Sequence, residues 1–507
     1  MSAMLPELVS DQSLPFAMPI PFDNSYARLP EGFYTRTPPT PVICPRLIKF
    51  NRNLASELGI ATEVLDTDLG AQTLAGNQLP TGAEPIAMAY AGHQFGNFVP
   101  KLGDGRAILL GEIIDRAGSR RDIQLKGAGP TPFSRNGDGR ATLSSVLREY
   151  LISESMHALG IPTTRALAAV ATGEHVYRES PLPGAVLTRV ASSHIRVGTF
   201  QYFAARGDTG SVKRLADYVI ERHYPSLTRT DRPYLELLDA VMEMQAKLIA
   251  HWMHVGFIHG VMNTDNTSIS GETIDFGPCA FMNEYNPATV FSSIDVTGRY
   301  AYANQTRISQ WNLARFAETL LPLIDPDSER AIDSATDLIG RYPDKLEQHW
   351  LSGMRRKLGL FTEKTSDATL IQNLLDLMQA SEADFTLTFR RLADTILPNE
   401  HTPELRTQFK HPAAFDDWTA HWQARFATEP QTMEERAAEM RQVNPQFIPR
   451  NHRVERALTA AVEDANFEYF DELLTVLMRP YDDQPAFAQY AEAPGPEERN
   501  YVTYCGT

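Results

Sequence analysis

Residues 257–277, with the sequence FIHGVMNTDNTSISGETIDFG, contain the three short motifs that decide the fold. HG, DN and DFG follow one another there, and Asn266 and Asp275 belong to the second and third motif. The residues between them have the pattern of a tight hairpin that turns at Ser270-Gly271 and brings the Asn266 amide close to the Asp275 carboxylate. Mg²⁺ prefers oxygen ligands, commonly one or two carboxylates together with substrate phosphates. Any one of these residues could be an ordinary turn or capping residue, but together they predict a divalent-metal site.

A second signal is a lysine that ends a predicted strand. Residues 123–126 (IQLK) alternate like a strand ending at Lys126, and Glu149 lies 23 residues later within a predicted helix. In the kinase fold, a strand lysine held by a helix glutamate fixes a cation against nucleotide phosphates. Such a pair has little significance alone, because surface pairs are common. Upstream of HG, DN and DFG it indicates a nucleotide site in which Glu149 supports Lys126.

The pentapeptide GDGRA occurs twice, at residues 103–107 and 137–141, on either side of the lysine. Glycines let backbone N–H groups approach phosphates closely, and arginines add charge-assisted hydrogen bonds. Arg189 and Arg196 follow at the end of another predicted strand, and a planar guanidinium suits phosphate oxygens. Simple hairpin turns and solvated arginines are the alternative interpretation of each feature.

The position of the expected catalytic base carries a valine. Aligned on the kinase loop H-R-D-x-x-x-x-N, His259 and Asn266 place Val261 where an aspartate accepts the substrate hydroxyl proton. Valine cannot accept a proton, so Asp265 is the candidate general base. Two other interpretations stay open. A phosphotransferase of the small-molecule-kinase type is disfavoured by Val261, and a catalytically silent nucleotide-binding scaffold is disfavoured by the retained lysine and metal positions.

The periodicities predict an α+β fold, with strands first and helices afterwards. Strands are expected at residues 107–112, 122–126 and 185–190. Helices are expected at residues 47–58, 143–159, 312–324, 370–396 and 453–477, with a further helix starting at Thr230-Asp231-Arg232-Pro233 behind a capping side chain. We divide the chain into an N-terminal extension that wraps over the core, a strand-rich unit, a helical unit and a helical C-terminal extension with a flexible, solvated tail at 480–498. These four parts cover residues 1–85, 86–200, 201–325 and 326–507.

Composition excludes several classes of protein. Of 507 residues, 43% are hydrophobic and 22% charged, which argues against disorder, collagen and coiled coil. The 63 acidic residues exceed the 47 basic ones, for a net charge of −16, so nucleic acid is not an expected partner. No run is apolar enough for a membrane helix, and three scattered cysteines fit a reducing compartment. We expect a cytoplasmic protein and, since nothing indicates an obligate partner, a monomer.

Four longer blocks resemble the selenoprotein O (SelO) family, and together they extend over residues 90–281. They read KLGDGRAILLGE, IQLKGAGPTPFSRNGDGRATLSSVLREYL, LTRVASSHIRVGTFQ and GFIHGVMNTDNTSISGETIDFGPCAF. The resemblance implies a protein-kinase-like fold with two lobes. It also implies transfer of AMP from ATP to Ser, Thr or Tyr hydroxyls of proteins, with ATP reversed relative to kinases and pyrophosphate released. Mg²⁺ or Mn²⁺ is the implied metal, and UMP transfer from UTP with manganese is implied for bacterial members.

The resemblance also implies a set of site residues. Asn266 and Asp275 would bind the metal, next to Asp265, the candidate base inferred from the loop spacing. The positions that would contact ATP are Gly103, Gly105, Arg106, Lys126, Asp138, Gly139, Arg189, Arg196 and Asp275. Cys505 occupies the tail position of the Cys-x-x-selenocysteine motif of eukaryotic members, but the selenocysteine position is absent because the sequence stops at Thr507. A regulatory disulfide between Cys279 and Cys505 is a hypothesis that the sequence leaves open.

Overall fold

The computed structural model describes residues 20–397, 403–499 and 501–503. The chain folds into a mixed α+β structure in which a sheet of strands from the first 191 residues precedes a largely helical remainder. The strands are β1 Tyr34–Arg36, β2 Arg46–Phe50, β3 Ile86–Met88, β4 Gly92–Gln94, β5 Asn97–Val99, β6 Ala107–Ile114, β7 Arg120–Lys126, β8 Ala141–Thr142, β9 Arg165–Tyr177, β10 Pro181–Ala191, β11 Phe257–Ile258 and β12 Ala280–Phe281.

The described residues form 17 α-helices, four before β10 and thirteen after it. They are α1 Arg52–Glu57, α2 Thr62–Leu65, α3 Asp68–Leu74, α4 Leu143–Ala158, α5 Val197–Ala204, α6 Thr209–His223, α7 Pro233–Val255, α8 Gln305–Ile324, α9 Ser328–Gly340, α10 Tyr342–Lys357, α11 Asp367–Ser381, α12 Phe385–Thr395, α13 Pro403–Thr407, α14 Pro412–Phe426, α15 Met433–Val443, α16 Asn451–Glu463 and α17 Glu468–Leu477. Among the helices of the described residues, none is both long and apolar enough to cross a bilayer.

The main sheet is antiparallel and has the order β1-β3-β6-β7-β10-β9-β2, with β8 paired to β10. The three strands predicted from sequence are its centre, β6, β7 and β10. Side chains alternate between its two faces, so that the opposed residues Gln124 and Arg189 share one face with Lys126. Ile123 and Val190 point to the other face, in an apolar cluster. One face of the sheet therefore carries these polar side chains, and the other packs into the apolar cluster.

The N-terminal part covers the apolar face of the sheet. Helices α1 and α3 pack against β9, and their leucines and alanines join the apolar cluster of that face. The helix expected at 47–58 is wrong in its first half, because residues 46–50 form the edge strand β2, which hydrogen-bonds to β9. The helix α1 begins only at Arg52, and the Asn51 side chain caps it by accepting from Leu54 N.

Helix α4 packs against β9 and β10 and confirms the helix expected at 143–159. Helix α7 begins at Pro233 as predicted, but its N-cap Arg232 makes no side-chain capping hydrogen bond. The expected helix 370–396 is two helices, α11 and α12, since Glu382 adopts a left-handed conformation between them (φ 54°). The expected helix 453–477 is likewise interrupted, after α16, where Ala465 is left-handed (φ 51°). The predicted helix 312–324 is real but starts earlier, at Gln305.

Most residues of the segment 480–498 are exposed, but the segment is not a free arm, since several of its side chains contact the helices. Tyr490 is only 2% exposed, and the Tyr481 hydroxyl donates to the Leu159 carbonyl at 3.0 Å. Asp483 forms an ion pair with Arg390 at 2.6 Å. The apolar and aromatic residues between the acidic ones hold this segment against the helices. The boundaries proposed at residues 85, 200 and 325 stay a prediction.

Candidate active site

A cavity of about 340 Å³ opens where the polar face of the sheet meets the loop after β11. Its walls include both GDGRA segments, the ends of β7 and β10, and the DN and DFG motifs. All but one of the residues that the sequence predicts for nucleotide, metal and catalysis line it. They are Gly103, Gly105, Arg106, Lys126, Asp138, Gly139, Arg189, Arg196, Asp265, Asn266 and Asp275. The exception, Glu149, lies behind Lys126 in a smaller adjoining cavity.

Asp275 lies at the centre of a cluster of cations. Its carboxylate accepts from Lys126 Nζ at 3.1 Å, from an Arg189 guanidinium nitrogen at 2.6 Å and from one of Arg196 at 2.9 Å. Burial alone would raise the pKa of Asp275, but the charges of the three cations outweigh it and hold the pKa well below its ordinary value. Asp275 is also left-handed (φ 63°), a strained backbone that aims the carboxylate into the cluster.

The predicted pair of Lys126 and Glu149 is present. Lys126 Nζ lies 2.5 Å from Glu149 Oε2, and Arg189 donates to the other oxygen of Glu149 at 3.2 Å. Glu149 is 4% exposed and Arg189 is 2% exposed, so these charges have little water to screen them. The three cations face the carboxylates of Glu149 and Asp275. Arg196 also lies 4.0 Å from Asp104, so ion pairs hold the cations in fixed positions at the cavity.

Behind this cluster lies a hydrogen-bond chain that the sequence reasoning missed. The Gln124 side-chain oxygen accepts from Arg189 at 2.6 Å and 3.2 Å, and its amide donates to Asp104 at 3.2 Å. Asp104 also accepts from the Met88 backbone N–H at 3.1 Å. Burial raises the pKa of Asp104 to about 6, although Arg196 acts in the opposite direction. The signal was available: Gln124 precedes Lys126 by two residues, so a strand puts both side chains on the same face.

Asp265, the candidate base, is buried beside the cavity. One of its oxygens, Oδ1, has no hydrogen-bond partner among the described residues, and the other lies 3.5 Å from Gln94 Nε2. Arg196 donates to its backbone carbonyl at 2.8 Å, which fixes the main chain and leaves the carboxylate free. Burial raises the pKa of Asp265 to about 6 against the effect of Arg196. Such a carboxyl is ionised at neutral pH and is a stronger proton acceptor than an ordinary aspartate.

Asn266 and Val261 are linked by a hydrogen bond. Asn266 Nδ2 donates to the Val261 carbonyl at 2.9 Å, so the amide nitrogen is occupied and the amide oxygen is the atom that could bind a cation. The Val261 side chain lines the cavity as an apolar group. Val261 therefore serves the site through its backbone, by orienting Asn266.

The predicted hairpin between Asn266 and Asp275 is wrong as a pair of strands. Residues 267 and 269 hydrogen-bond to residues 197 and 195, and Thr273 hydrogen-bonds to Pro162 and Thr164. Instead of pairing with itself, the segment therefore hydrogen-bonds to residues 195–197 at one end and to residues 162–164 at the other. Asn266 and Asp275 nevertheless line the same cavity.

No group of three or more His, Cys, Asp or Glu residues in the described part of the chain is placed to hold a metal ion. A metal bound by Asn266 and Asp275 would have to complete its shell with other oxygens. Mg²⁺ is commonly held by one or two carboxylates together with substrate phosphates, so the two side chains fit that mode of binding.

Only one of the two cysteines in the predicted disulfide lies among the described residues. Cys279 is a buried free thiol, and burial raises its pKa to about 11. Cys505 lies outside the described residues, so the Cys279–Cys505 disulfide stays a prediction. Thr503 lies close in space to the segment of Cys279, since its hydroxyl donates to the Pro278 carbonyl at 2.7 Å. Finding both thiols free in mass spectrometry of the oxidised, unreduced protein would disprove the disulfide.

Comparison with known proteins decides the family. The model of the family described as protein adenylyltransferase SelO matches residues 17–478. The chain belongs to the SelO family. This confirms the resemblance found in the four sequence blocks, and the match extends well beyond them on both sides.

Close relatives in the SelO family are known under one name, protein nucleotidyltransferase YdiU. The chain is 64% identical over 491 residues to that of Rhizobium rhizogenes, which covers 97% of this chain and 98% of the relative. It is 64% identical over 486 residues to that of Rhizobium meliloti, covering 96% and 99% of the two chains. The protein of Bradyrhizobium diazoefficiens is 62% identical over 487 residues, covering 96% and 99%.

Proposed function

We propose that the protein transfers AMP from ATP to hydroxyl groups of Ser, Thr or Tyr on other proteins and releases pyrophosphate. Membership of the SelO family and the name of its close relatives support nucleotidyl transfer. The observation that carries the proposal is the arrangement of carboxylates: residue 261 offers none, while Asp265 has a buried oxygen without a partner in the described structure. In this proposal the sheet and the helices around α7 form two kinase-like lobes that enclose the cavity.

The proposed orientation of ATP is the reverse of that in kinases. Lys126, Arg189 and Arg196 surround Asp275 on one side of the cavity and would hold the β- and γ-phosphates. The α-phosphate would then meet the acceptor hydroxyl, and the departing group would be pyrophosphate. This arrangement uses the strongest positive charge of the site where negative charge develops on the leaving group.

The glycine-rich segments would contact the nucleotide from the other side. Asp138 forms an ion pair with Arg178 at 2.8 Å, which holds the second GDGRA loop at the rim of the cavity. Gly103, Gly105 and Gly139 line the cavity without a side chain in the way. Backbone N–H groups in such segments bind phosphate oxygens closely.

Asn266 and Asp275 would hold the metal, for which we propose Mg²⁺ or Mn²⁺. Once bound, the ion would neutralise charge on the phosphates. The three cations around Asp275 keep its carboxylate ionised and oriented for this role. UMP transfer from UTP with Mn²⁺ and a cytoplasmic location remain part of the proposal.

The proposed reaction needs one proton transfer at the acceptor. Asp265 takes the proton of the hydroxyl as its oxygen attacks the α-phosphorus. The bond from that phosphorus to the oxygen bridging the β-phosphate breaks, and pyrophosphate leaves with its charge balanced by Lys126, Arg189 and Arg196. The product is a phosphodiester between the acceptor side chain and AMP.

The test uses ATP labelled at the α- or the γ-phosphate, incubated with Mg²⁺, the protein and a general protein acceptor. We expect protein-bound label from α-labelled ATP only, and its loss in Asp265→Asn and Asp275→Ala. The Asp265→Asn variant should still bind ATP, because its side chain is not among the phosphate-binding cations. Label from γ-labelled ATP alone would make the protein a kinase, and no label from either would favour the silent scaffold.

A further inference from the structure

A small hairpin covers the backbone that carries Asp265. It consists of β4, β5 and the turn between them. His93 N donates to Thr264 Oγ1 at 2.7 Å, and Phe95 N donates to Asn263 Oδ1 at 3.0 Å. Gly92 passes so close that a Cβ there would lie 2.6 Å from Asp265 Oδ1. The hairpin is therefore attached rigidly to the residues beside the proposed base.

The outer side of this hairpin is aromatic. The His93 ring lies 5.0 Å from the Phe98 ring and 5.2 Å from the Trp311 ring, measured between centroids. Phe98 is 39% exposed, although it is a large apolar side chain. Arg299 lies over Trp311, with its Cζ 4.9 Å from the ring centroid. We call these four residues, His93, Phe98, Arg299 and Trp311, the hairpin surface.

Arg299 is the unmatched charge of the hairpin surface. In the part of the chain that the structure describes, no carboxylate forms an ion pair with its guanidinium, and its buried Nε has no hydrogen-bond partner. The neighbouring Arg315, also over Trp311, already pairs with Glu318 at 2.6 Å. On a chain of net charge −16, an unpaired arginine held between aromatic rings is a local attraction for an anionic group.

The hairpin surface lies outside the cavity that would hold ATP. Gln94, on the same strand as His93, lines the cavity, whereas His93, Phe98, Arg299 and Trp311 do not. An acceptor polypeptide must bring its hydroxyl to Asp265 while the nucleotide occupies the cavity. The hairpin surface adjoins the segment of Asp265 without lining the cavity, so a nucleotide in the cavity would leave it accessible. Tryptophan and arginine are also the residue types that contribute most to protein interfaces.

We propose that the hairpin surface binds the acceptor polypeptide and that Arg299 pairs with an aspartate or glutamate close to the modified hydroxyl. This inference rests on the proposed function and adds the class of substrate, a hydroxyl residue in an acidic segment. The aromatic side chains would cover the acceptor backbone, and the ion pair would set its register.

The experiment uses matched synthetic peptides with a central Ser, Thr or Tyr and flanking residues that are either all Glu or all Lys. AMP transfer from α-labelled ATP is measured for the wild type, Arg299→Glu and Arg299→Lys. Arg46→Glu is the control, since Arg46 is an exposed arginine on the edge strand β2. Binding of ATP is measured for all four proteins.

We expect the wild type to modify the Glu peptides roughly fivefold faster than the Lys peptides, as for an exposed ion pair. Arg299→Lys should keep this preference and Arg299→Glu should reverse it, with unchanged ATP binding. Arg46→Glu should behave as the wild type. Equal rates on both peptide sets in the wild type, or an unreversed preference in Arg299→Glu, would overturn this inference and leave the proposed function standing. Absence of transfer to any peptide and to a general protein acceptor, with ATP bound, would instead overturn the proposed function.

Discussion

The two GDGRA segments have the same sequence and opposite environments. Asp104, in the first, is 2% exposed and accepts hydrogen bonds inside the protein, whereas the Asp138 side chain, in the second, is 41% exposed and pairs with Arg178. Burial raises the pKa of Asp104 to about 6, while the hydrogen bond from Arg178 lowers that of Asp138. An aspartate in this motif is thus a buried structural group in one copy and a surface ion-pair partner in the other.

The glycines of the two copies also differ, in their backbone conformation. In the first copy the first glycine, Gly103, is left-handed (φ 68°), whereas in the second copy the second glycine, Gly139, is left-handed (φ 64°). A Cβ on Gly139 would collide with the Gly129 carbonyl, whereas one on Gly137 would meet only the Ser134 carbonyl at 3.0 Å. Identical local sequences therefore take different backbone paths, because the surrounding chain decides which glycine must be left-handed.

The largest effect should separate the two glycines of the second copy. Gly139→Ala combines a left-handed backbone with a collision against backbone, and we expect it to cost about 3 kcal/mol or more of the free energy of unfolding. Gly137→Ala should cost less than about 1 kcal/mol. Urea unfolding of both variants measures the difference. Equal costs would show that the second loop can move to accommodate a side chain.

The next effect compares the two aspartates. Asp104→Leu leaves the Gln124 amide and the Met88 N–H without their acceptor, and we expect a loss of about 2–3 kcal/mol in the free energy of unfolding. Asp138→Leu removes an exposed ion pair and should cost less than about 1 kcal/mol. The same unfolding measurement applies. A larger cost for Asp138→Leu would contradict the assignment of the buried role to the first copy.

A third comparison concerns the arginine linked to the aspartate of each copy. Asp104 is linked to Arg189 through Gln124, whereas Asp138 pairs directly with Arg178. Gln124→Met keeps the volume but frees the Arg189 fork from its acceptor, and we expect about tenfold weaker binding of pyrophosphate by calorimetry. Adenosine binding should not change, because the chain Asp104–Gln124–Arg189 ends on the side of the cavity that we propose for the phosphates.

The matched variant for this comparison is Arg178→Met, which frees Asp138 instead. It should weaken pyrophosphate binding less than Gln124→Met does, since Arg178 is not among the cations around Asp275. If Gln124→Met weakened adenosine and pyrophosphate binding alike, the glutamine would be a general packing residue.

The smallest effect is the pH dependence of stability. Because the pKa of Asp104 is raised to about 6 in the folded protein, ionisation destabilises the fold, and stability is lost as pH rises through 6. Relative to Asp104→Asn, the wild type should lose about 1 kcal/mol between about pH 5 and pH 7. The difference between the wild type and Asp138→Asn should be flat there, because the lowered pKa of Asp138 keeps it ionised throughout. Thermal unfolding across this pH range checks both curves, and a flat curve for Asp104 would contradict its buried ionisation.

Much of the candidate site could be predicted from sequence because its residues belong to contiguous motifs. The strand ending at Lys126 and the helix carrying Glu149 follow from periodicity, and their ion pair is present. Gln124 and Asp104 were missed because a buried glutamine and a glycine-flanked aspartate look like ordinary strand and turn residues. Their significance comes from Arg189, which is adjacent to Gln124 only across the sheet.

The errors in the fold have a common physical cause. The strand at 46–50, the split helix around Glu382 and the segment before Asp275 all depend on partners distant in the chain. Local propensity cannot show which backbone groups will find a partner on a neighbouring strand or loop. The packed segment around Tyr490 is a further case, since its acidic composition hides the aromatic residues that anchor it.

The sequence by itself determined the family, the alternation of strands and helices around the site, and the types of residue available for phosphate, metal and proton transfer. Short-range periodicity and motif spacing are sufficient for those properties. Only the tertiary structure decided which GDGRA aspartate is buried, which carboxylate is held by three cations and which one keeps a free oxygen. Those differences arise from burial and from charges that approach one another across the sheet and the loops, and neither is encoded in the residues adjacent in sequence.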